Sequence, residues 1–390
     1  MVTMRALVLF IFAAGCNSQS IFSPFSTEEA LGEALFHDVN LSKNRTQACA
    51  TCHDPDRAFV DSRSNSAGHI TTFSLGDDGI SIGSRNAPTV SYAAFSPEYR
   101  VGTRRRFNKQ SDHRLYEGEL GGLFWDGRAS NLEDQAGGPP LNPIEMGMIE
   151  ASAVVERLLE DPNYVTGFRA LYGHDVFDSS ERAYGAMRAA IAGFERTDVF
   201  SSFDSKYDRS LRGEQTLSFK ELTGKSLFFS EFTSCAICHQ LHSNGDPINK
   251  FLETFTGYEY HNVGTPGRTA DSGLARNPSV ESPQARGRFK VPTLRNIAVT
   301  EPYMHNGIFR DLKTVVLFYD KFVNDSRTMN PESAEPWQPP EFPDTVSETL
   351  LKTGRALDDY EVEAMVCFMR TLTDARYEPL ISSKGINCDE

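Results

Sequence analysis

Two short stretches of the sequence place two cysteines and a histidine at the same spacing. Residues 49–53 read Cys-Ala-Thr-Cys-His, and residues 235–239 read Cys-Ala-Ile-Cys-His. Two thiols three positions apart can add to the two vinyl groups of a haem, and the histidine that follows then lies under the iron as an axial ligand. The motifs therefore predict two covalently attached c-type haems. The attaching residues would be Cys49, Cys52, Cys235 and Cys238, and the iron ligands would be His53 and His239.

Cysteine and histidine also form structural zinc sites and redox dithiols, which are the alternatives for these motifs. A zinc site would need all four motif cysteines, and the two pairs are far apart in the chain. A redox dithiol does not require a histidine after each pair. Covalent haem attachment is therefore the favoured interpretation.

The start of the chain predicts export. Arg5 precedes an apolar stretch over residues 6–12, which is too short to span a bilayer. Residues 13–15, Ala-Ala-Gly, precede Cys16 in a pattern that resembles the cleavage box of bacterial lipoproteins. We expect a signal segment over residues 1–16, a periplasmic protein and a lipid anchor at Cys16. An ordinary cleaved signal with a chance cysteine is the alternative.

The composition excludes some classes of partner. The 390 residues carry a formal net charge of −14 and are 39% apolar, without a second long apolar run. Apart from Arg104–Arg106 the basic residues are scattered, which argues against nucleic acid as a partner. An acidic surface suits a basic redox protein better. The length and composition are typical of a globular protein of about two domains.

The surroundings of the two motifs repeat as well. Residues 26–29 and 218–221 both fit the capping box that starts a helix, and each is followed by a glycine and then Leu-Phe, over residues 32–36 and 224–228. Each half is therefore predicted to open with a helix that leads into its cysteine motif. The apolar spacing of residues 358–372 predicts a packed helix near the end.

This repeat predicts a mainly α fold made of two cytochrome c-like helical domains, each around one covalent haem. We place a linker at residues 17–25, the N-terminal domain at 26–205 and the C-terminal domain at 206–390, with the boundary near 200–215. Cys367 and Cys388 lie outside both motifs in an oxidising compartment, so we expect them to pair with each other.

With both motifs placed, the chain from residue 26 to 375 resembles the di-haem bacterial cytochrome c peroxidase and MauG family. The matching segments are residues 85–89 (RNAPT), 124–129 (FWDGRA), 142–146 (NPIEM), 260–264 (YHNVG), 289–296 (FKVPTLRN) and 302–307 (PYMHNG). The resemblance implies a peroxidatic haem in the N-terminal domain and an electron-transfer haem in the C-terminal domain.

The resemblance also implies a peroxide pocket at the first haem. Trp125 would lie between the haems, and Gln135, Pro139 and Glu145 would line the pocket. A carboxylate there can take a proton from one peroxide oxygen and return it to the leaving oxygen. Without the resemblance, Glu145 would be interpreted as a helix-start acid and Trp125 as a core aromatic.

A calcium ion between the haems is a further implication. Its protein ligands would be the side chain of Asn86 and the backbone carbonyls of Thr300 and Pro302, with waters completing the shell. Oxygen-only ligation suits this hard cation. On their own, the same residues would be interpreted as turn formers.

Two residues distinguish the branches of the family. Tyr319 lies nineteen residues after Thr300, where the MauG-like branch has a tyrosine as the far ligand of the second haem and the cytochrome-consuming peroxidases have methionine. A buried helix tyrosine, with Met304 or Met329 as the ligand, is the alternative. His69 lies sixteen residues after His53, where peroxidases that need reductive activation carry a histidine that caps the first haem; a solvated loop residue is the alternative. Tyr319 and His69 favour opposite branches.

The resemblance implies that the MauG branch withdraws electrons from a partner protein through a surface tryptophan just before the second motif. Residues 232–234 contain no tryptophan here. The other tryptophan besides Trp125 is Trp337, in a proline-rich insertion, so a protein substrate would need a different route. The insertion between Ala94 and Gly121, with its arginine cluster, is the other candidate docking surface.

The sequence therefore predicts a MauG-like di-haem peroxidase that reduces hydrogen peroxide at the first haem and relays oxidising equivalents through the second. Its partner would be a protein to be oxidised or an electron donor such as a c-type cytochrome or cupredoxin. The alternatives are a cytochrome c peroxidase that detoxifies peroxide and a non-catalytic di-haem electron carrier. Gln135 and Glu145 at the family's spacing argue against the carrier.

Overall fold

The structure is a computed structural model that describes residues 25–64, 70–106, 115–241, 252–267 and 269–390. The predicted signal segment, Cys16 and His69 lie outside the described residues. The fold is mainly helical, as the sequence predicts. Among the residues that the structure describes, no helix has both the length and the apolar character needed to cross a membrane.

Short helices connected by turns form most of the fold, with three small two-stranded sheets among the described residues. The helices are α1 (Glu28–Phe36), α2 (Cys49–Cys52), α3 (Leu132–Ala136), α4 (Gly138–Leu141), α5 (Ala151–Leu159), α6 (Pro162–Tyr172), α7 (Ser180–Glu195), α8 (Lys206–Leu211), α9 (Phe219–Phe228), α10 (Cys235–Cys238), α11 (Leu312–Asp320), α12 (Glu348–Leu351) and α13 (Asp359–Arg370). The strands are β1 (Arg100–Arg105), β2 (Leu115–Leu120), β3 (Tyr260–His261), β4 (Phe289–Lys290), β5 (Met329–Asn330) and β6 (Glu335–Pro336), which pair antiparallel in the order β1-β2, β3-β4 and β5-β6.

The helices predicted ahead of each cysteine motif are present as α1 and α9. At α9 the capping box is complete, because Ser218 accepts from the Glu221 amide at 3.1 Å and Glu221 accepts from the Ser218 amide at 2.7 Å. At α1 the N-cap is Thr27, one residue later than the predicted box, and its hydroxyl accepts from the Ala30 amide at 3.2 Å. A single side-chain cap therefore starts α1 where two reciprocal bonds start α9.

A close helix crossing occurs once in each half. A Cβ atom added to Gly32 on α1 would lie 1.9 Å from the carbonyl oxygen of Ala190 on α7. A Cβ atom added to Gly224 on α9 would lie at the same 1.9 Å from the carbonyl oxygen of Ala364 on α13. Glycine is therefore required at both crossings because the backbones are in contact there. The predicted closing helix is confirmed as α13.

Each crossing lies in its own apolar core. The first core extends from Leu31 to Phe200 and the second from Tyr207 to Ile386. The disulfide between Cys367 and Cys388 is present, which confirms the predicted pairing. The division into domains at residues 26–205 and 206–390 stays a prediction.

Buried polar contacts connect the two halves. Tyr92 donates to Asp374 at 2.6 Å, and Asn296 donates to the other oxygen of the same carboxylate at 2.8 Å. Nearby, the fully buried guanidinium of Arg295, paired with Asp208 of its own half at 2.5 Å, lies over the Tyr92 ring of the first half, 5.3 Å from its centroid. These groups are hydrogen-bonded where no water reaches them, so they fix how the halves meet.

The glycine crossings can be tested by adding one methyl group. We expect Gly32→Ala to lower the free energy of unfolding by about 3 kcal/mol, because the methyl group would overlap the Ala190 carbonyl. Gly185→Ala is the matched control, since nothing lies within 4 Å of its added Cβ on α7 and alanine favours a helix by about 1 kcal/mol. Urea unfolding of the two variants measures both changes. Equal stability of the two variants would show that the crossing tolerates a side chain.

Candidate active site

The first cysteine pair lies on the single turn of α2, and the histidine after it is held by the backbone. The His53 amide donates to the Cys49 carbonyl at 2.9 Å, and the His53 ring nitrogen Nδ1 lies 3.1 Å from the carbonyl oxygen of Phe59. That carbonyl can only accept, so Nδ1 carries the proton and Nε2 is left with a free lone pair. Burial lowers the pKa of His53, which keeps the ring neutral and able to ligate a metal.

The second cysteine pair, on α10, has the same arrangement. The His239 amide donates to the Cys235 carbonyl at 3.0 Å, and Nδ1 of His239 lies 2.9 Å from the carbonyl oxygen of Phe255. Burial lowers the pKa of His239 to about 4. Both histidines therefore present a neutral ring with Nε2 available, which is the form that an axial iron ligand requires.

The four motif cysteines are unpaired, and burial keeps most of their thiols protonated. It raises the pKa of Cys49 to about 12 and the pKa of Cys52 and Cys235 each to about 11. Zinc needs thiolates brought together in one site, but α2 and α10 belong to different cores, and the described residues form no cluster of three or more His, Cys, Asp or Glu side chains suited to a metal. The arrangement fits two separate haem cradles better than one zinc site.

Glu145 faces the first cysteine pair. Its carboxylate contributes to raising the pKa of the Cys52 thiol, so the two groups are close in a buried region. Burial raises the pKa of Glu145 above its ordinary 4.5, and the Arg128 guanidinium and a hydrogen bond with Asn142 act in the opposite direction. The Glu145 carbonyl accepts from the Asp77 amide at 2.8 Å, which holds the loop.

Gln135 and Pro139 come from the two short helices that precede this loop. Gln135 lies on α3 and Pro139 on α4, and both are half-buried. The carbonyl of Pro139 accepts from the Met146 amide at 3.3 Å, next to Glu145. The structure thus brings the backbones of Pro139 and Glu145 together, with Gln135 one helix earlier.

Trp125 is held by both halves of the chain. Its indole Nε1 donates to the Asn86 carbonyl at 2.9 Å, and its own carbonyl accepts from the Lys290 amide at 2.9 Å. The ring of Phe289 meets it edge-on at 6.5 Å. Trp125 is therefore a fixed aromatic where the halves join.

The predicted calcium ligands also meet at this junction. The side-chain amide of Asn86 is 2.6 Å from the carbonyl oxygen of Pro302, and the Asn86 amide N–H donates to the His305 carbonyl at 2.7 Å. Thr300 lies two residues before Pro302 and is 8% exposed. Because an asparagine amide presents an oxygen as readily as a nitrogen by a half-turn, Asn86 and Pro302 can direct two oxygens to one point.

Tyr319, on α11, faces the second cysteine pair. Burial raises the pKa of its phenol, and the Cys238 and Cys235 thiols add to the shift, so the hydroxyl lies in the same buried region as both cysteines. Of the alternative ligands, Met329 is 47% exposed on β5, whereas Met304 packs against the second core. The burial of Tyr319 beside both cysteines favours it over Met329.

The sequence did not predict the buried polar group beside the second pair. Glu259 is fully buried, accepts from Arg106 at 2.6 Å and lies 3.0 Å from Nε2 of His261. Burial lowers the pKa of His261, but Cys238 and the Glu259 carboxylate raise it more, to about 9. His261 belongs to the family-matching segment at residues 260–264. Nothing in the sequence, however, indicates that Arg106, 155 residues earlier, lies beside it.

The arginine cluster of the insertion is only partly exposed, and the insertion stays a candidate docking surface. Of the three arginines, Arg105 is exposed, Arg104 is half-buried and Arg106 is 8% exposed. The side-chain nitrogen Nη1 of Arg104 is buried without a hydrogen-bond partner among the described residues. Within residues 104–106, the ion pair with Glu259 directs Arg106 inward and leaves Arg105 as the exposed arginine.

Comparison with known proteins gives a consistent result. The family model for di-haem cytochrome c peroxidases matches residues 26–216. The chain is 46% identical to the methylamine utilization protein MauG of Paracoccus denitrificans, over 97% of this chain and 96% of that one. It is 32% identical to the cytochrome c551 peroxidase of Nitrosomonas europaea, over 71% of this chain and 68% of that one. The crystal structure of the diheme peroxidase BthA from Burkholderia thailandensis superposes with a TM-score of 0.76 at 28% identity, over 94% of this chain and 91% of that one.

Loss of Arg106 should be costly because it would leave Glu259 buried without its cation. We expect Arg106→Gln to lower the free energy of unfolding by about 3 kcal/mol. Arg105→Gln, on the exposed neighbour, should change it by less than about 0.5 kcal/mol. Chemical denaturation measures both values, and a cost below 1 kcal/mol for Arg106→Gln would mean that His261 alone compensates the Glu259 charge.

Proposed function

The chain belongs to the di-haem cytochrome c peroxidase family, and from this premise we propose that it is a MauG-like enzyme with one haem in residues 26–205 and one in residues 206–390. The enzyme reduces hydrogen peroxide in the first half and relays oxidising equivalents through the second. The observation that carries this proposal is the repeated pair of cysteines followed by a histidine whose Nδ1 is bonded to a backbone carbonyl.

When bound, the two haems supply the iron at which the oxygen–oxygen bond of peroxide is cleaved and the electron transfer between the halves. Thioether bonds from Cys49 and Cys52 hold the first group, and those from Cys235 and Cys238 hold the second. His53 and His239 would ligate the two irons through Nε2, since Nδ1 of each ring is held by the carbonyls described above.

Glu145 moves the proton in the first pocket. Its carboxylate takes a proton from one oxygen of peroxide and delivers it to the other, which then leaves as water without charge separation. Burial raises the pKa of Glu145 and so strengthens it as a base, while Arg128 and a hydrogen bond with Asn142 limit the rise. Gln135 and Pro139 line the same pocket, Gln135 as a hydrogen-bonding group and Pro139 as a wall that limits water.

The remaining sites follow from the family. Tyr319 would provide a ligand of the second iron, and Trp125 would connect the two haem sites. Asn86, Thr300 and Pro302 hold a calcium ion near Trp125, supported by the short contact between Asn86 and Pro302. His69 remains the candidate cap of the first haem.

The reducing partner is a small redox protein, such as a c-type cytochrome or cupredoxin, or a protein that the enzyme oxidises. The net charge of −14 favours a basic partner. We place the enzyme in the periplasm, attached to a membrane by a lipid at Cys16, because c-type haem motifs follow an export-like leader.

The proposal predicts the effect of removing the Glu145 base. Mass spectrometry of denatured parent and Glu145→Gln should show two covalent haems in each. Glu145→Gln should react with peroxide at least 100-fold more slowly in stopped-flow measurements, because an amide cannot accept the proton. The parent rate should fall as pH falls through the Glu145 pKa, which lies above 4.5, because the protonated acid is no longer a base.

Glu150→Gln, an exposed acid on the same loop, is the control and should keep the parent rate and pH profile. Fewer than two covalent haems in the parent would contradict the proposed function. Two haems with an unchanged rate in Glu145→Gln would contradict only the role of Glu145.

Tyr319 predicts how the second haem behaves. A phenolate stabilises ferric iron, so Tyr319→Met, with a softer ligand, should raise the potential of the second haem and change its ferric spectrum. Tyr319→Phe should leave that position without a ligand. Redox titration and electron paramagnetic resonance of the holoenzymes measure both. If neither substitution changes the second haem, Met304 becomes the ligand and the plain cytochrome c peroxidase interpretation takes precedence.

A further inference from the structure

One buried acid near the first cysteine pair has no role in the chemistry described so far. Glu195 is the last residue of α7 and is 4% exposed. Its Oε2 atom is buried and has no hydrogen-bond partner among the described residues. A buried carboxylate without a partner is costly, because neither water nor a donor compensates its charge.

Glu195 lies close enough to the first cradle to affect it electrically. Together with burial, its charge raises the pKa of the Cys49 thiol on α2. Cys49 is an attachment residue, and the proposed iron ligand of this half is His53. Glu195 therefore lies near an attachment residue and is not itself a proposed iron ligand.

The charged groups around Glu195 do not neutralise it. Arg196, the next residue, directs its guanidinium at Glu133 on α3, 2.7 Å away, at the half-exposed surface. Glu28 of α1 lies beside Gly193, two residues earlier on α7. Burial raises the pKa of Glu195 to about 8, with Arg196 lowering it and Glu133 raising it. The negative end of the α7 dipole acts in the same direction as burial.

The internal repeat shows that this acid belongs to the first half alone. Added Cβ atoms at Gly32 and Gly224 meet Ala190 and Ala364, and both also lie 2.9 Å from the Cβ of a phenylalanine four residues further on, Phe194 or Phe368. The next residue is Glu195 in the first half and Met369, which is 6% exposed, in the second. One crossing therefore carries a buried acid where its equivalent carries an apolar side chain.

We propose that Glu195 takes up one proton when the first haem gains one electron and releases that proton when the electron leaves. The electron comes from the redox partner, and the proton comes from solvent near the partly exposed ion pair between Arg196 and Glu133. The net charge of the buried site therefore stays constant. This inference rests on the proposed haem attachment at Cys49 and Cys52.

The physical reason is the low polarity of the site. An added electron raises the affinity of a nearby buried carboxylate for a proton, because like charges repel strongly where water is excluded. A carboxyl whose pKa lies near neutral changes its protonation with a small change in neighbouring charge. The methionine in the second half cannot respond, so the two haems should differ in the pH dependence of their potentials.

The test is a redox titration of the two-haem protein, with soluble mediators, from pH 6 to pH 9, a window around the Glu195 pKa of about 8. In the parent, one of the two potentials should fall as pH rises, by up to about 59 mV for each tenfold drop in proton activity. Glu195→Gln should make that potential independent of pH and leave the other potential unchanged. Glu181→Gln is the matched control: it removes an exposed acid from the first turn of the same helix, far from Glu195, and should keep the pH dependence.

Two further measurements complete the test. Met369→Glu should confer pH dependence on the other potential. Infrared difference spectra of the parent, reduced minus oxidised, should show a protonated carboxyl band that Glu195→Gln lacks; if that variant does not hold haem, Glu195→Asp should keep a shifted band.

Parent potentials that are both flat with pH, or a pH dependence that survives in Glu195→Gln, would overturn the inference. A parent without two covalent haems would overturn the proposed function as well. Two haems with flat potentials would overturn the role of Glu195 alone.

Discussion

The backbone contact between the opening and closing helix of each half is the constraint on which the other features depend. At Gly32 and at Gly224 the helices approach so closely that a carbonyl oxygen occupies the space of a side chain. This approach fixes how α1 and α9 are packed, and the chain after each helix leads into a cysteine motif, at Cys49 and at Cys235. Phe36 and Phe228, at those helix ends, are buried in the two cores. The position of His53 and of His239 thus depends on packing remote from the histidine itself.

A second requirement is that the halves stay fixed relative to each other, because electron transfer and the placement of Trp125 depend on it. The junction is polar: Asp374 accepts from both Tyr92 and Asn296, and Arg85 bridges Asp126 and Asp271 at 2.7 and 2.5 Å. Buried hydrogen bonds of this kind have directional preferences that apolar contacts lack. They suit a joint in which orientation matters more than area.

The sequence predicted the features that are local and missed those that depend on tertiary contacts. The cysteine motifs, the two opening helices and α13 are encoded by spacing within a few residues. The pairing of Cys367 with Cys388 followed from their position outside both motifs in an oxidising compartment, with Cys16 assigned to the lipid anchor. The cap of α1 was placed one residue early because Ser26, with Glu29 three residues later, fits the capping-box pattern. The inward turn of Arg106 could not be predicted, since its partner Glu259 is 153 residues away. The ion-binding and catalytic roles came from family resemblance, which supplies pairings that composition cannot.

Glu195 illustrates a signal that the sequence does contain. Residues 194–197 read Phe-Glu-Arg-Thr and residues 368–371 read Phe-Met-Arg-Thr, so alignment of the two halves isolates the acid as the one difference in a repeated tetrapeptide. Its burial and missing partner become visible only after the crossing places the tetrapeptide in the core. The two halves can therefore be compared with each other. Residues that are the same in both, such as Gly32 and Gly224, maintain the packing that the halves share. A buried acid that replaces an apolar residue, as Glu195 does relative to Met369, indicates chemistry specific to one half. By that reasoning the acid belongs to the half in which peroxide is reduced, where electrons and protons must arrive together.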